Sequence, residues 1–140
     1  MEKSNIAVSA IVIKNKKFLL LKRNNPPFKW GPPGGRVFKG ESLLDAVLRE
    51  TKEEANVNVK ILMPIGIWSG YHDDKRLLSI SFLCEYISGE VRVSTEHSKA
   101  KWLDVEEIKR EIKNENITYS IKEFIRAKEI KNLFDNKKLY

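Results

Sequence analysis

Two hydrophobic patterns alternate along the chain and divide it into strands and helices. The run NIAVSAIVIK (5–14) is rich in β-branched residues, the composition of a buried strand. KNKK turns it, and FLLLKR (18–23) pairs back as a hairpin partner. NNPPFKWGPPGG (24–35) has four prolines and three glycines and is expected to form no regular structure. A helix is predicted over about 43–55, with Ser42 as its N-cap and Asp45 as the acidic partner of a capping box. Strand patterns follow at 57–72, 76–89 and 90–94, with turns at Asp73–Asp74 and Ser88–Gly89. A short strand then enters a helix within 99–112, and Thr118 or Ser120 caps a last helix over 121–134. Strands and helices are mixed without regular alternation, which points to an α+β or sandwich-like arrangement.

The first helix raises a problem. Leu44, Val47, Leu48, Thr51 and Ala55 form its predicted core stripe. Glu50, Glu53 and Glu54 fall in a sector roughly 100° wide, well away from the stripe. Glu50 neighbours both other glutamates at helical spacing, and each like-charge pair costs a few tenths of a kcal/mol. Two readings are open: a solvated face laced with ion pairs through Arg49 and Lys52, or a cation site. The glutamates lie toward the helix C-terminus, where the macrodipole disfavours negative charge. Only Arg49 is well placed to offset them. A hard divalent cation, held by carboxylates together with substrate phosphates, relieves both costs. The glycines of GPPGG and KG, just ahead of the helix, allow backbone to approach a ligand closely.

Composition narrows the rest. A chain of 140 residues with 41% apolar content is expected to be one domain, 1–140, with a sizeable core. No apolar run has the length of a membrane span, and the start MEKSNIAVSA lacks a signal-peptide pattern. Cys84, the only cysteine, reads as a small buried hydrophobe. A cytoplasmic protein is the expectation. The net charge of +7 suits phosphate partners as well as a lysine-rich surface. No zinc-finger or RNA-binding signature accompanies it, so a nucleic-acid partner is not expected.

The segment GRVFKGESLLDAVLRETKEEANV (35–57) resembles the box of the Nudix hydrolases, the MutT-like pyrophosphohydrolases. Gly35, Glu41, Arg49, Glu50, Glu53, Glu54 and Val57 stand in register with it. Thr51 replaces an apolar residue, and Asn56 replaces the glycine that ends the helix; asparagine is the next-best residue for that left-handed cap. FKWGPPGG and TEHSKAKWLDVEEI resemble the family's lead-in and downstream segments, extending the likeness over residues 5 to about 110.

The resemblance implies a Nudix-type α/β/α sandwich with a mixed central sheet. It implies Mg²⁺- or Mn²⁺-dependent hydrolysis of a pyrophosphate bond in a nucleoside diphosphate derivative. Glu50, Glu53, Glu54 and the Gly35 carbonyl would hold the cation, and Glu53, Glu50 or Glu96 would serve the attacking water. Arg49, Glu41 and Gly34 would support them. Among Phe28, Trp30, Trp68, Tyr71 and His72, we expect Phe28 and Tyr71 to contact substrate. A core role is expected for Trp30, Trp68 and Trp102, and none is assigned to His72. A nucleoside triphosphate is the default substrate, and a homodimer is compatible with the family. The alternative is a non-catalytic nucleotide-binding module of the same fold.

Overall fold

The computed structural model describes residues 1–137. Its strands are β1 (Lys3–Lys14), β2 (Lys17–Arg23), β3 (Trp30–Gly31), β4 (Gly34–Phe38), β5 (Asn58–His72), β6 (Lys75–Ser88) and β7 (His97–Leu103). The helices are α1 (Leu43–Ala55), α2 (Val105–Glu111) and α3 (Ile121–Asp135). All seven strands join one mixed sheet. β1 runs parallel to β6 and antiparallel to β2 and β4, while β5 pairs with β6 and β7 with β2.

β1 and β2 are continuously apolar over Ala10–Ile13 and Phe18–Leu21 because both of their faces are buried there. Val8, Ala10, Val12, Leu19 and Leu21 pack with Ala46, Val47 and Ala55 of α1. Ile11, Ile13, Phe18 and Leu20 pack with Ile108 of α2 and with Phe124 and Ala127 of α3. The result is the expected α/β/α sandwich, with α1 on one face and α2 and α3 on the other.

The turns at Asn15–Lys16 and Asp73–Asp74 place both residues at positive φ, the geometry of a two-residue hairpin turn. Three details differ from the pattern-based expectation. β3 and β4 cut into the Pro- and Gly-rich segment, because Gly34 and Gly35 sit close against β1 and α1. Residues 90–94 form no strand. The Arg92 and Ser94 N–H groups donate instead to the Ala55 and Glu54 carbonyls at the end of α1, at 3.0 and 3.2 Å. Trp68 lies on the surface, not in the core, whereas Trp30 is buried and Trp102 packs edge-on against Tyr86 at 5.6 Å.

The last helix, which carries no family motif, is closed by a capping box between Ser120 and Glu123. Its Phe124 is fully buried against Phe18, with ring centroids 5.2 Å apart. Phe124→Ala should therefore cost about 3–5 kcal/mol. Urea denaturation tests this, and a cost under about 1 kcal/mol would mean that α3 is not part of the core.

Candidate active site

Ser42 caps α1 by accepting from the Asp45 N–H at 3.1 Å, and Asn56 ends it in the left-handed conformation, φ 60. Thr51 is buried in the apolar slot of the box because its hydroxyl donates back to the Val47 and Leu48 carbonyls, both at 3.0 Å. The buried face of the helix keeps Val47, Thr51 and Ala55 of the predicted stripe but not its two leucines. Leu44 and Leu48 are 51% and 44% exposed, while Ala46, Val47, Thr51, Glu54 and Ala55 are buried. The inward face is rotated by about 60° from the expected one. The glutamates therefore flank the core instead of standing opposite it.

Glycine makes this rotation possible. The Gly34 N–H donates to Glu54 Oε1 at 2.7 Å. A Cβ on Gly35 would meet Glu50 Oε1 at 2.6 Å, so no larger residue fits there without moving that carboxylate.

Arg49 fixes the remaining oxygens. It forks onto Glu41 at 2.7 and 2.9 Å, and donates to Glu50 Oε1 at 2.8 Å, Glu53 Oε2 at 3.3 Å and the Arg36 carbonyl at 3.2 Å. Its guanidinium lies 4.0 Å from the Phe38 ring centroid. Glu41 also accepts from the Phe38 N–H at 3.1 Å. The Arg49 hydrogen bond holds the Glu41 carboxyl below its ordinary range.

The other carboxylates move the opposite way. Burial, partly offset by Arg49 and reinforced by Glu53 and Glu96, pushes Glu50 up. Burial pushes Glu54 up to about 8, against the Gly34 hydrogen bond and with Glu50, Glu96 and Glu53 adding to the rise. Tethering of 92–94 to the helix end brings Glu96 and His97 into the site. His97 Nε2 lies 4.0 Å from Glu54 Oε2, and burial lowers its basicity.

A cavity of about 580 Å³ opens over Gly34, Gly35, Glu54, Glu96 and His97. An adjoining one of about 290 Å³ reaches Arg49, Glu50 and Glu53. The structure thus brings together Glu50, Glu53, Glu54, Glu96, Gly34, Gly35 and Arg49, with Glu41 behind Arg49. Phe28 and Tyr71 are exposed, and neither is among the residues lining the two cavities. Tyr71 lies instead beside Arg76, 5.7 Å from its guanidinium, and His72 is exposed at the end of β5. Sequence reasoning missed His97, which adjoins Glu96. It also missed the cations Lys3, Arg23, Lys29 and Arg36 along the larger cavity.

Among the described residues, no three such side chains already surround one point as metal ligands. Glu50 and Glu53 lean on Arg49. The donor set nevertheless fits a hard divalent cation: carboxylate oxygens beside a glycine backbone, with the Glu50 and Glu54 carboxyls made weaker acids by burial and mutual repulsion that a cation would reverse.

Fold and site together define a class, a three-layer sandwich with an acidic helix seated on a Gly-Gly strand. Residues 3–126 match the NUDIX domain, and the chain belongs to that family. It is 38% identical over 104 residues to an ADP-ribose pyrophosphatase of Methanocaldococcus jannaschii, a match covering 71% of this chain and 62% of that protein. It is 33% identical over 99 residues to an asymmetrical bis(5'-nucleosyl)-tetraphosphatase of Caenorhabditis elegans, covering 65% and 70% of the two. Among solved structures, the MutT protein of Methanosarcina mazei superposes with a TM-score of 0.74 at 30% identity, covering 90% and 94% of the chains. A C. elegans Ap4A hydrolase binary complex gives 0.72 at 27%, covering 94% and 98%.

The weakened acidity of Glu54 has a consequence in metal-free protein. A carboxyl that titrates near 8 when folded and near 4.5 when unfolded stabilises the fold fully below about pH 4.5 and loses that contribution as pH rises through about 8. In EDTA, wild type should lose stability from pH 5 to pH 8 relative to Glu54→Gln, which keeps the Gly34 acceptor but does not titrate. Saturating Mg²⁺ should reverse the order at pH 8. Parallel stability curves for the two proteins in EDTA would contradict the buried, repelled state of Glu54.

Proposed function

We propose that the protein hydrolyses a phosphoric anhydride bond in a nucleoside diphosphate linked to a further group. The observation that carries this reading is the packing of Glu50 and Glu54 on Gly34–Gly35, with Glu53 and Glu96 beside them, at the wall of a cation-lined cavity. The names of the relatives support it, since both denote enzymes that cut phosphate anhydrides of nucleotides. The nucleoside triphosphate expected from the sequence is one member of this class.

Glu50, Glu53 and Glu54, with the Gly35 carbonyl, would hold Mg²⁺ or Mn²⁺. When bound, such an ion would supply positive charge to offset that developing on the phosphate and would acidify a water. Arg49 fixes the carboxylates from behind, and Glu41 fixes Arg49. The Gly34 N–H orients Glu54. The water oxygen bonds to one phosphorus as the bridging P–O bond breaks, and the electron pair leaves on the bridging oxygen. A nearby carboxylate, Glu53, Glu50 or Glu96, accepts the proton of the water. The products are two phosphate-terminated fragments.

The test is a panel of ADP-ribose, nucleoside triphosphates and dinucleoside tetraphosphate with Mg²⁺, scored for product release. Glu53→Gln should preserve the urea midpoint and lower kcat by at least ~10²-fold, the scale of a lost electrostatic contribution. Ca²⁺ should support turnover poorly. Undiminished turnover in excess EDTA, or a Glu53→Gln enzyme with wild-type kcat, would overturn the mechanism.

A further inference from the structure

β5 forms one edge of the sheet, and among the described residues it pairs only with β6. A sheet edge invites a further strand, and proteins blunt such edges with short strands, charged residues, prolines or bulges. The other edges here are blunted in this way. β3 is two residues long, β4 carries Arg36, and β7, paired only with β2, carries Lys99 and Lys101. β5 is blunted only in its first half, by Lys60, Pro64 and three breaks in register before Gly66. From Gly66 to His72 its pairing with β6 is unbroken. Those residues close the run Ile61–His72, the longest stretch of the chain without Asp, Glu, Lys or Arg.

This second half of β5 is apolar on both faces of the sheet. Ile67, Ser69 and Tyr71 lie opposite Ile80, Leu78 and Arg76, on the face that α1 covers further along. Gly66, Trp68 and Gly70 belong to the other face, where Trp68 borders a groove shared with Glu123 and Arg126 of α3. Ile67, Trp68 and Tyr71 are 77%, 52% and 69% exposed. The Trp68 ring folds over Gly70 of its own strand, where a Cβ would collide with it. An uncharged, regular edge flanked by large exposed apolar side chains is the form of a strand that pairs with another chain.

We infer that β5 pairs antiparallel with β5 of a second copy of this chain, about a two-fold axis at Ser69. That register is self-complementary. It sets Ile67 opposite the partner's Tyr71 on one face, an aromatic–aliphatic pair. On the other face it sets Trp68 opposite the partner's Gly70, so that each indole covers a bare stretch of neighbouring edge. Charge also selects this meeting point. Each copy carries a net charge of +7 and is repelled by the other over most of its surface. Pairing over Gly66–His72 brings no like charges together and carries the charged tips, Asp73–Arg76, to opposite ends. Three side chains of roughly 200 Å², exposed to the extent given above, contribute about 400 Å² per copy. With the strand backbones, the pair reaches the lower end of specific interfaces, about 1,200 Å² in total. Such an area predicts reversible association in the micromolar range. Each copy offers one such edge, so the pairing closes at two and builds no filament.

The experiment is sedimentation velocity of the full chain from about 5 to about 500 μM, which spans micromolar association. The mass should rise with concentration from the 16.2 kDa monomer toward twice that value. Ser69→Lys sets two ammonium groups against each other at the axis, and Ser69→Glu sets two carboxylates there. Either variant alone should associate at least ~10-fold more weakly than wild type, because like charges meet. An equimolar mixture of the two should recover association to within about threefold of wild type, because opposite charges then meet. Ser69 is exposed, so both variants should keep the wild-type circular dichroism. If either does not, Trp68→Thr on the opposite face replaces the pair, again with an expected loss of at least ~10-fold. A monomer at every concentration overturns the inference. So does a dimer indifferent to these substitutions, which would place the contact on another surface. A mixture that associates no better than its components overturns the axis at Ser69 and with it the pairing.

Discussion

The seating of α1 against Gly34 and Gly35, the two residues without side chains that open β4, is the constraint on which the site depends. Because Gly34 and Gly35 lack Cβ atoms, Glu54 reaches a backbone N–H and Glu50 lies against the strand itself. That approach rotates the helix and desolvates two carboxylates. It also obliges Arg49 to hold three glutamates at once, in a pose braced by Glu41 and Phe38. The acidity shifts of Glu50 and Glu54 follow from this geometry. Binding of a divalent ion there would discharge an electrostatic cost that folding has already incurred.

Much of this was legible in the chain. The limits of α1, its N-cap Ser42 and its C-cap Asn56 follow from local chemistry and fixed spacing, and the structure has them as read, although the Asp45 carboxylate does not close the expected capping box. The orientation of the helix was not legible. Leu44 and Leu48 look like core by periodicity, but the glycine strand takes up the space beside Glu50 and Glu54 and turns the leucines outward. Periodicity records which residues share a face; it does not record how closely a neighbour without side chains will approach.

Long-range residues were hidden for a different reason. Lys3, Arg23, Lys29 and Arg36 form no motif, because strand pairing and a backbone bond between β2 and its following loop bring them together, not spacing. His97 stands beside Glu96, yet nothing in TEHS says that its ring will be buried near Glu54. Residues 90–94 alternate like a strand, but their N–H groups are drawn to the carbonyls left open at the end of α1. Membership of the NUDIX family makes the acidic helix recognisable, while the choice of what lies around it is written in this chain's own loops.

The parallel pairing of β1 with β6 bears on the order in which the molecule can assemble. The Ser9 and Ser81 hydroxyls, joined at 3.1 Å across that pair, are separated by 72 residues of chain. Box, helix and glycine strand lie close together in sequence and can meet early, but the seam at the middle of the sheet closes only after a long loop has been drawn in. The glycine strand itself pairs with β1, so the wall on which Glu50 and Glu54 rest is anchored to that central strand. An ion held by those carboxylates would therefore favour molecules in which that anchoring has formed, tying its binding to the integrity of the sheet's centre.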